Sequence, residues 1–269
     1  MTATLPAEEK RTFFEEQGYL VLEGMLDEDE VEACAGEIER LHALAAGMSD
    51  EERSKGSFQL EPHAAPGAGE GRPVLRKIER TRRHSAVFRD LSAHPRLLAT
   101  IRLLLGDDLL LFRSTLMLKP AHHGSAHGLH QDSAYWPMEP PSLVTVSIAL
   151  TDSDPENGCI QVIPGSHKWG MQRWGRITRQ RDQPLTDRED VDTSQCRQVP
   201  LRAGSALLFH SLIVHGSGPN NSPRPRHTAL YAYFPPTVRY RPGEGRPREM
   251  TFPVVHGLGG RTELTLSAD

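Results

Sequence analysis

The sequence predicts an α+β fold, in which helices in the first part of the chain precede an antiparallel β core. Apolar residues follow helical spacing only before residue 106. From Leu109 onward, short aliphatic and β-branched runs alternate with turn residues, and the 23 glycines and 21 prolines fit many short strands better than a helical bundle. Closely spaced short strands after helices are compatible with a double-sheet jelly roll.

The helical part begins with a short helix over Thr12–Gln17 and a short strand over Tyr19–Leu22. Asp27 is the predicted N-cap of the next helix, because Glu30 stands three residues later as a capping-box partner. This helix is expected to run to about Ala46. Two further helices are predicted over Ser85–Leu91 and Pro95–Leu105.

The β core is expected to span about residues 109–235 of a single domain that covers residues 1–269. Two segments poor in large apolar residues, 48–73 and 169–196, are predicted to be long loops or lids. No internal repeat or linker divides the chain. The predicted strands are Val74–Ile78, Leu110–Lys119, Leu143–Leu150, Cys159–Ile163, Gln198–Leu201, Ala206–Phe209, Ile213–Val214, His227–Phe234 and Met250–Val255.

Composition excludes several classes of protein. The net charge of -4 gives no general attraction to nucleic acid or to an anionic membrane, and no apolar run approaches the roughly 20 residues that span a bilayer. Cys34, Cys159 and Cys196 are odd in number and widely spaced, which predicts reduced thiols in a cytoplasmic protein. We expect a small molecule as the partner, and either a monomer or a homodimer.

The stretch around His130 and Asp132 carries the chemistry. In an extended segment, side chains at positions i and i+2 lie on one face, so the two can converge on a metal ion. His215 follows 85 residues later. Two histidines and one carboxylate form the facial triad of non-haem Fe(II) oxygenases, which leaves three coordination positions open. A closed zinc site would need a fourth protein ligand.

Arg226 and Ser217 add an anion-binding pair to these ligands. The guanidinium of Arg226 can bind a carboxylate bidentately, and Ser217 can present a hydroxyl on the same face as His215. Together they can hold the distal carboxylate of a dicarboxylate that chelates the metal. Arg224 competes for this role, but it lies between two prolines and is predicted to be in a turn.

Other histidines offer alternative ligands. His123 and His127 have i,i+4 spacing, but the glycines around them favour a loop. His210 precedes His215 by four residues and would share its face in a continuous strand. We favour His215 because Gly216-Ser217-Gly218-Pro219-Asn220 follows it directly.

In these motifs the chain resembles the phytanoyl-CoA dioxygenase family of Fe(II)/2-oxoglutarate oxygenases, over about residues 12–235. The resemblance implies a cupin-like double-stranded β-helix (jelly-roll) core with flanking N-terminal helices. It implies Fe(II) held by His130, Asp132 and His215, with 2-oxoglutarate on Arg226 and Ser217, and dioxygen as the oxidant. The matching segments are Gly18–Leu22, His130–Asp132, Tyr135–Pro137, Asn157–Ile160, Pro164–Lys168 and His215–Asn220.

The same resemblance assigns further residues. Lys77 resembles a family lysine near the co-substrate, and Thr115 occupies a position where relatives often carry a methionine beside 2-oxoglutarate. Ile148 stands where some relatives carry a tryptophan. Halogenating relatives replace the metal-binding carboxylate with a small residue, so the presence of Asp132 argues against a halogenase.

The expected reaction is oxidation of an unactivated C–H bond, most simply hydroxylation, with release of succinate and CO2. We expect the substrate to be a small molecule of natural-product or specialised metabolism. Two other classes remain open from the sequence. One is a non-catalytic jelly-roll binding protein that retains the metal site, and the other is a zinc-dependent hydrolase that uses the same ligands with a water molecule.

Overall fold

The computed structural model of the chain describes residues 5–62, 64, 68–69, 71–174 and 190–268. Its N-terminal helices confirm the predicted ones. The N-cap of the second helix has the expected capping box, since Asp27 Oδ1 accepts from the Glu30 amide and Glu30 Oε2 accepts from the Asp27 amide, both at 2.9 Å. The helices are α1 (Ala7–Gln17), α2 (Glu28–Ala46), α3 (Asp50–Lys55), α4 (Ala86–Leu91) and α5 (Pro95–Leu105).

Fifteen strands lie within the described ranges, most of them in antiparallel sheets. The pattern of short strands separated by turns is the one that the sequence predicts. In chain order the strands are β1 (Tyr19–Leu22), β2 (Phe58–Leu60), β3 (Leu75–Glu79), β4 (Leu109–Lys119), β5 (His127–His130), β6 (Met138–Glu139), β7 (Val144–Ala149), β8 (Ile160–Val162), β9 (Arg197–Val199), β10 (Ala206–His210), β11 (His215–Ser217), β12 (Arg226–Phe234), β13 (Arg239–Tyr240), β14 (Glu249–His256) and β15 (Glu263–Ser267).

The larger sheet has the order β1-β10-β7-β12-β4-β14-β15, and β3 pairs with β4 and carries β2. The smaller sheet has the order β5-β11-β8-β9, and β6 pairs with β13 in a separate ribbon. This is the predicted jelly-roll core with helices before it. Helices α2, α4 and α5 contribute Ile38, Leu41, Phe88, Leu97 and Ile101 to one apolar cluster with the larger sheet. The helices therefore cover one face of that sheet and leave its other face for the cavity.

Two predicted boundaries differ from the structure. Segment 48–73 contains α3 and β2, so the expectation of a continuous loop is wrong there. Ser49 starts α3 with its own capping box to Glu52, and Lys55 pairs with Glu51 along the helix at 2.5 Å. The core also extends beyond the predicted range 109–235, because β1, β3 and β14 pair with its strands.

The second predicted loop, 169–196, is described only in part. Residues 190–196 contain a short 3-10 turn over Thr193–Gln195. Residues 175–189 lie outside the described part of the chain. Across the described ranges, no helix combines the length and the apolar composition that crossing a lipid bilayer requires.

Candidate metal centre and cavity

The three predicted ligands meet between the two sheets. His130 ends β5 and His215 begins β11, and the two are paired in register across these antiparallel strands. The sequence predicts an extended segment through Asp132, but the strand ends before this residue. Asp132 instead begins a 3-10 turn over Asp132–Ala134. The turn still brings its Oδ1 to 3.6 Å from Nε2 of His130 and 3.9 Å from Nε2 of His215. One ligand atom from each residue lies within 4.8 Å of the others, which is compatible with a shared metal ion.

Backbone carbonyl groups orient both imidazoles. Nδ1 of His130 lies 2.9 Å from the Gly128 oxygen, and Nδ1 of His215 lies 3.1 Å from the Ile213 oxygen. A carbonyl only accepts, so each Nδ1 carries the proton and each Nε2 presents its lone pair to the centre of the site. This arrangement is the tautomer that metal coordination requires.

The carboxylate of Asp132 is held as an anion. Its Oδ2 accepts a hydrogen bond of 2.8 Å from the hydroxyl of Thr145 on β7, which leaves Oδ1 facing the histidines. Burial alone would raise the pKa of Asp132, but His215, His130 and the Thr145 hydroxyl together hold it below its usual range. Burial and the neighbouring His130 lower the pKa of His215 to about 4, so this imidazole is neutral at neutral pH. Two imidazole nitrogens and one carboxylate oxygen form a mixed N/O donor set that suits a divalent transition metal.

Gln131 lies between His130 and Asp132 in the sequence, and its side-chain hydrogen bonds anchor this segment. Its side chain is completely buried, and its Nε2 donates to the Gly170 oxygen at 3.0 Å and the Leu212 oxygen at 2.7 Å. Its Oε1 accepts from the Gln172 amide at 2.8 Å and from Nε1 of Trp174 at 3.0 Å. The full hydrogen-bonding capacity of this amide is used. It therefore ties the metal-binding segment to the start of the second long loop.

Beside the ligands lies a cavity of about 220 Å³. Arg226 and Ser217, the predicted carboxylate-binding pair, both line it and both are buried. Nε of Arg226 donates to Oγ of Ser153 at 3.1 Å, which aims the guanidinium. Burial lowers the pKa of Arg226 to about 10, which still leaves it charged at neutral pH.

Lys77 and Thr115 line the same cavity. Nζ of Lys77 lies 2.6 Å from Oε1 of Glu79, and burial together with Arg113 lowers the pKa of Lys77 to about 8. Thr115 is buried, and its hydroxyl accepts from Nε of Arg113 at 3.2 Å. The cavity is therefore lined by all seven residues that are predicted to hold the metal or the co-substrate.

The competing candidates lie elsewhere or are engaged. His123 and His210 do not join the three-residue cluster within the described part of the chain. His210 ends β10 and a turn separates it from β11, so it does not share a strand face with His215; its Nδ1 accepts from the Leu212 amide at 3.0 Å. Arg224 is exposed and pairs with Asp154 at 2.7 Å, which agrees with its predicted turn position.

Sequence reasoning missed several residues of the cavity. Lys119 is buried beside Arg226, with which it pairs in register on β4 and β12, and it donates to the Gly218 oxygen. Burial and then Arg226 lower its pKa well below the usual value. The signal for Lys119 was available, because it shares the strand period of Thr115, whereas Thr145 and Ser153 carry no local pattern. The other missed lining residues with polar side chains include Gln59, Arg76, Arg113 and Thr228. His127, an alternative ligand in the sequence analysis, also lines the cavity, and its Nδ1 lies 3.3 Å from Nη2 of Arg76.

Comparison with protein families and curated proteins identifies the relatives of this chain. The model of the family described as "Phytanoyl-CoA dioxygenase (PhyH)" matches residues 14–228. Ectoine dioxygenase of Nocardia farcinica is 30% identical over 243 residues, which cover 84% of this chain and 76% of the relative. Peroxisomal phytanoyl-CoA dioxygenase of Rattus norvegicus is 27% identical, and the match covers 80% of this chain and 64% of that protein.

Solved structures agree with this placement. EctD from S. alaskensis with 2-oxoglutarate and 5-hydroxyectoine has a TM-score of 0.71 at 25% identity, covering 91% of this chain and 83% of that one. The epimerase SnoN from nogalamycin biosynthesis, solved with Fe3+, alpha ketoglutarate and nogalamycin RO, has a TM-score of 0.69 at 26% identity. That match covers 97% of this chain and 94% of SnoN.

The family match spans most of the chain, and the metal triad lies inside the matched range. The two curated relatives are named dioxygenases, EctD was solved with 2-oxoglutarate and SnoN with iron and alpha ketoglutarate, and the donor set described above fits that chemistry. The chain belongs to the phytanoyl-CoA dioxygenase family and is a 2-oxoglutarate-dependent dioxygenase.

Proposed function

We propose that the protein oxidises an unactivated C–H bond of a small molecule, with hydroxylation as the simplest outcome. The observation that carries this proposal is the convergence of His130, Asp132 and His215 next to the buried guanidinium of Arg226. When bound, Fe(II) and 2-oxoglutarate would activate dioxygen, which is the oxidant. One oxygen atom enters the product, the other enters succinate, and CO2 leaves.

The side chains have separate tasks in this proposal. His130, Asp132 and His215 would hold the metal through two imidazole nitrogens and one carboxylate oxygen. Arg226 and Ser217 bind the distal carboxylate of 2-oxoglutarate, because both are buried at one end of the cavity and a desolvated guanidinium binds a carboxylate strongly. Burial of the site keeps bulk water away from the reacting atoms.

Lys77 and Thr115 complete the co-substrate pocket. Lys77 supplies a second positive charge for 2-oxoglutarate, and Thr115 fills part of the wall beside it. The hydroxyl of Thr115 already accepts from Arg113, so it acts as a support for that arginine as well.

We place the substrate in natural-product or specialised metabolism. SnoN from nogalamycin biosynthesis supports this, since it matches along nearly the full length of both chains. The cavity of about 220 Å³ also favours a small substrate, or a part of a larger one, over a bulky group. We further propose that the protein works in the cytoplasm as a monomer or a homodimer, and the described cysteines are free thiols, as expected there.

The test is succinate formation by purified protein supplied with Fe(II), 2-oxoglutarate, oxygen and a library of small molecules. We expect at least one compound to raise succinate release above the rate without substrate and to gain one oxygen atom by mass spectrometry. Asp132→Ala should abolish both signals, and Asp90→Ala, which removes an exposed carboxylate on α4, should leave them unchanged. Full activity in Asp132→Ala would refute the proposal.

A further inference from the structure

More basic side chains line the cavity than the co-substrate requires, even though Glu79 pairs with two of them and burial disfavours the charged form of Lys119. Five basic side chains line the cavity, whereas Asp132 is the single carboxylate among its described lining residues. Fe(II) and 2-oxoglutarate carry equal and opposite charges, so binding both leaves this balance unchanged. The basic residues are Arg76, Lys77, Arg113, Lys119 and Arg226.

Arg113 lies far from Arg226, the residue proposed to bind the distal carboxylate of 2-oxoglutarate. It pairs in register with Ala232, six residues along β12 from Arg226, which corresponds to roughly 20 Å of strand. The two guanidinium groups are therefore too far apart to bind one carboxylate. Ala232 pairs on its other side with Thr145, whose hydroxyl holds Asp132. Arg113 thus occupies the same cross-strand row as a support of the metal site, with its Cα roughly 10 Å from that of Thr145.

The contacts of Arg113 leave part of its charge uncompensated. Its Nη2 lies 3.1 Å from Oε1 of Glu79, and the same oxygen lies 2.6 Å from Nζ of Lys77. One carboxylate therefore serves two cations. A guanidinium has five N–H donors, and the bonds to Glu79 and Thr115 use two nitrogens. The side chain is 34% exposed, in contrast to the buried Arg226.

A purely structural ion pair explains this arrangement less well. Arg113 lies on the inward face of β4, because it alternates with Thr115, Met117 and Lys119, which all line the cavity. An ion pair with a purely structural role does not need to face the cavity. Next to Arg113 in the chain, Phe112 packs against Trp136 with ring centroids 4.9 Å apart, and Trp136 also lines the cavity. A cation and an apolar wall are thus adjacent.

We propose that Arg113 binds a carboxylate of the substrate, which is therefore a small organic acid. This inference rests on the proposed function and names the class of substrate for that site. The acid enters with its carboxylate on Arg113 and its carbon skeleton against Trp136, so that a carbon between the two ends faces the metal. A planar guanidinium fork matches a carboxylate in geometry as well as charge. Glu79 competes with the acid for Arg113.

The experiment measures succinate release with a panel of linear, aryl-substituted and N-acetylated carboxylic acids, each beside its methyl ester and primary amide. We expect stimulation by acids and little by their neutral partners. Arg113→Gln should raise the half-saturating concentration of the best acid by about 10- to 100-fold. Glu79→Gln should lower it, because the internal competitor is removed. Arg102→Gln, a surface arginine paired with Asp107, is the matched control and should change nothing.

The two variants change affinity in opposite directions only if Arg113 binds the acid. Loss of affinity in both would indicate a structural pair and overturn the inference. Stimulation by esters equal to that by acids, or no acid above the substrate-free rate, would overturn it as well. The proposed function is judged separately, by the visible absorption band of the Fe(II)/2-oxoglutarate complex. That band should persist in Arg113→Gln, and its absence from the unmodified protein would refute the proposed function instead.

Discussion

At the Arg226 end of the cavity the basic groups are buried, and each has a fixed partner in the fold. Arg226 donates to Ser153, and Lys119 donates to the Gly218 oxygen. At the other end, Arg113 is one-third exposed and shares a single carboxylate, Glu79, with Lys77. Both ends are built from the same paired strands, β4 and β12, so the difference lies in side-chain environment rather than in backbone.

This difference indicates which end of the cavity suits the co-substrate 2-oxoglutarate and which end suits the substrate. A buried cation with fixed partners can bind one ligand in one orientation, which suits a co-substrate common to every turnover. A partly exposed cation with a shared partner can exchange that partner for an incoming anion. We therefore expect substitution of Arg226 to affect 2-oxoglutarate and substitution of Arg113 to affect the substrate. Lys77 pairs with Met117, between the two ends, and is assigned to 2-oxoglutarate.

The largest expected effect is that of Arg226→Ala. Removing one partner of a buried charged pair should raise the KM for 2-oxoglutarate by about 100- to 1,000-fold. Steady-state succinate release at varied 2-oxoglutarate measures this. Arg224→Ala removes a neighbouring exposed arginine and should leave KM within error. An unchanged KM in Arg226→Ala would place the co-substrate elsewhere.

Gln131→Glu tests the connection between the metal segment and the second long loop. The carboxylate cannot donate to the Gly170 and Leu212 oxygens, which both lie within hydrogen-bonding distance of the native amide. The free energy of unfolding should fall by about 3 kcal/mol, measured by urea denaturation. Gln198→Glu, an exposed glutamine on β9, is the control. A decrease in the free energy of unfolding no larger than that of the control would show that the buried amide network contributes little.

Thr145→Val removes the hydroxyl that holds Oδ2 of Asp132 at 2.8 Å and nearly preserves side-chain volume. Because groups that orient a ligand tune metal affinity, the affinity for Fe(II) should fall about 10-fold. Anaerobic metal titration gives the value. The KM for 2-oxoglutarate, measured at saturating iron, should stay the same, and a larger change in that KM than in iron affinity would contradict this role for Thr145.

The smallest effect concerns Lys77 and pH. Burial and Arg113 lower the pKa of Lys77 to about 8, so the ammonium group is charged below this pH and loses its proton above it. The kcat/KM for 2-oxoglutarate should therefore decline about three- to tenfold as pH rises through 8. Lys77→Arg keeps its charge and should remove this decline. A decline of equal size in Lys77→Arg would assign the titration to another group.

The convergence of His130, Asp132 and His215 was predictable from the sequence because their residue types and order match the metal site of one family. His130, Asp132 and His215 needed no knowledge of register, since each stands in its own recognisable segment. The geometry of Asp132 was not predictable, because a turn replaces the expected strand and the carboxylate still reaches the site. The carboxylate of Asp132 therefore meets the histidines without the strand conformation from which this meeting was predicted.

Arg113 and Lys119 share the strand period of Thr115, so the face on which they lie was readable from the sequence although it was overlooked. Their separation along the cavity was not readable, because it depends on how β4 pairs with β12, and pairing register is a long-range property. Helix α3 was missed although Ser49 and Glu52 form a readable capping box, because the Gly- and Pro-rich composition of the surrounding segment dominated the interpretation.

The most direct test of the account is an anaerobic titration of the metal-free protein with Fe(II) in the presence of 2-oxoglutarate. We predict a visible charge-transfer band that saturates at one iron per chain and is absent from Asp132→Ala. Asp90→Ala should reproduce the band of the unmodified protein. A band of unchanged intensity in Asp132→Ala, or no band in the unmodified protein, would contradict a single iron site formed by His130, Asp132 and His215.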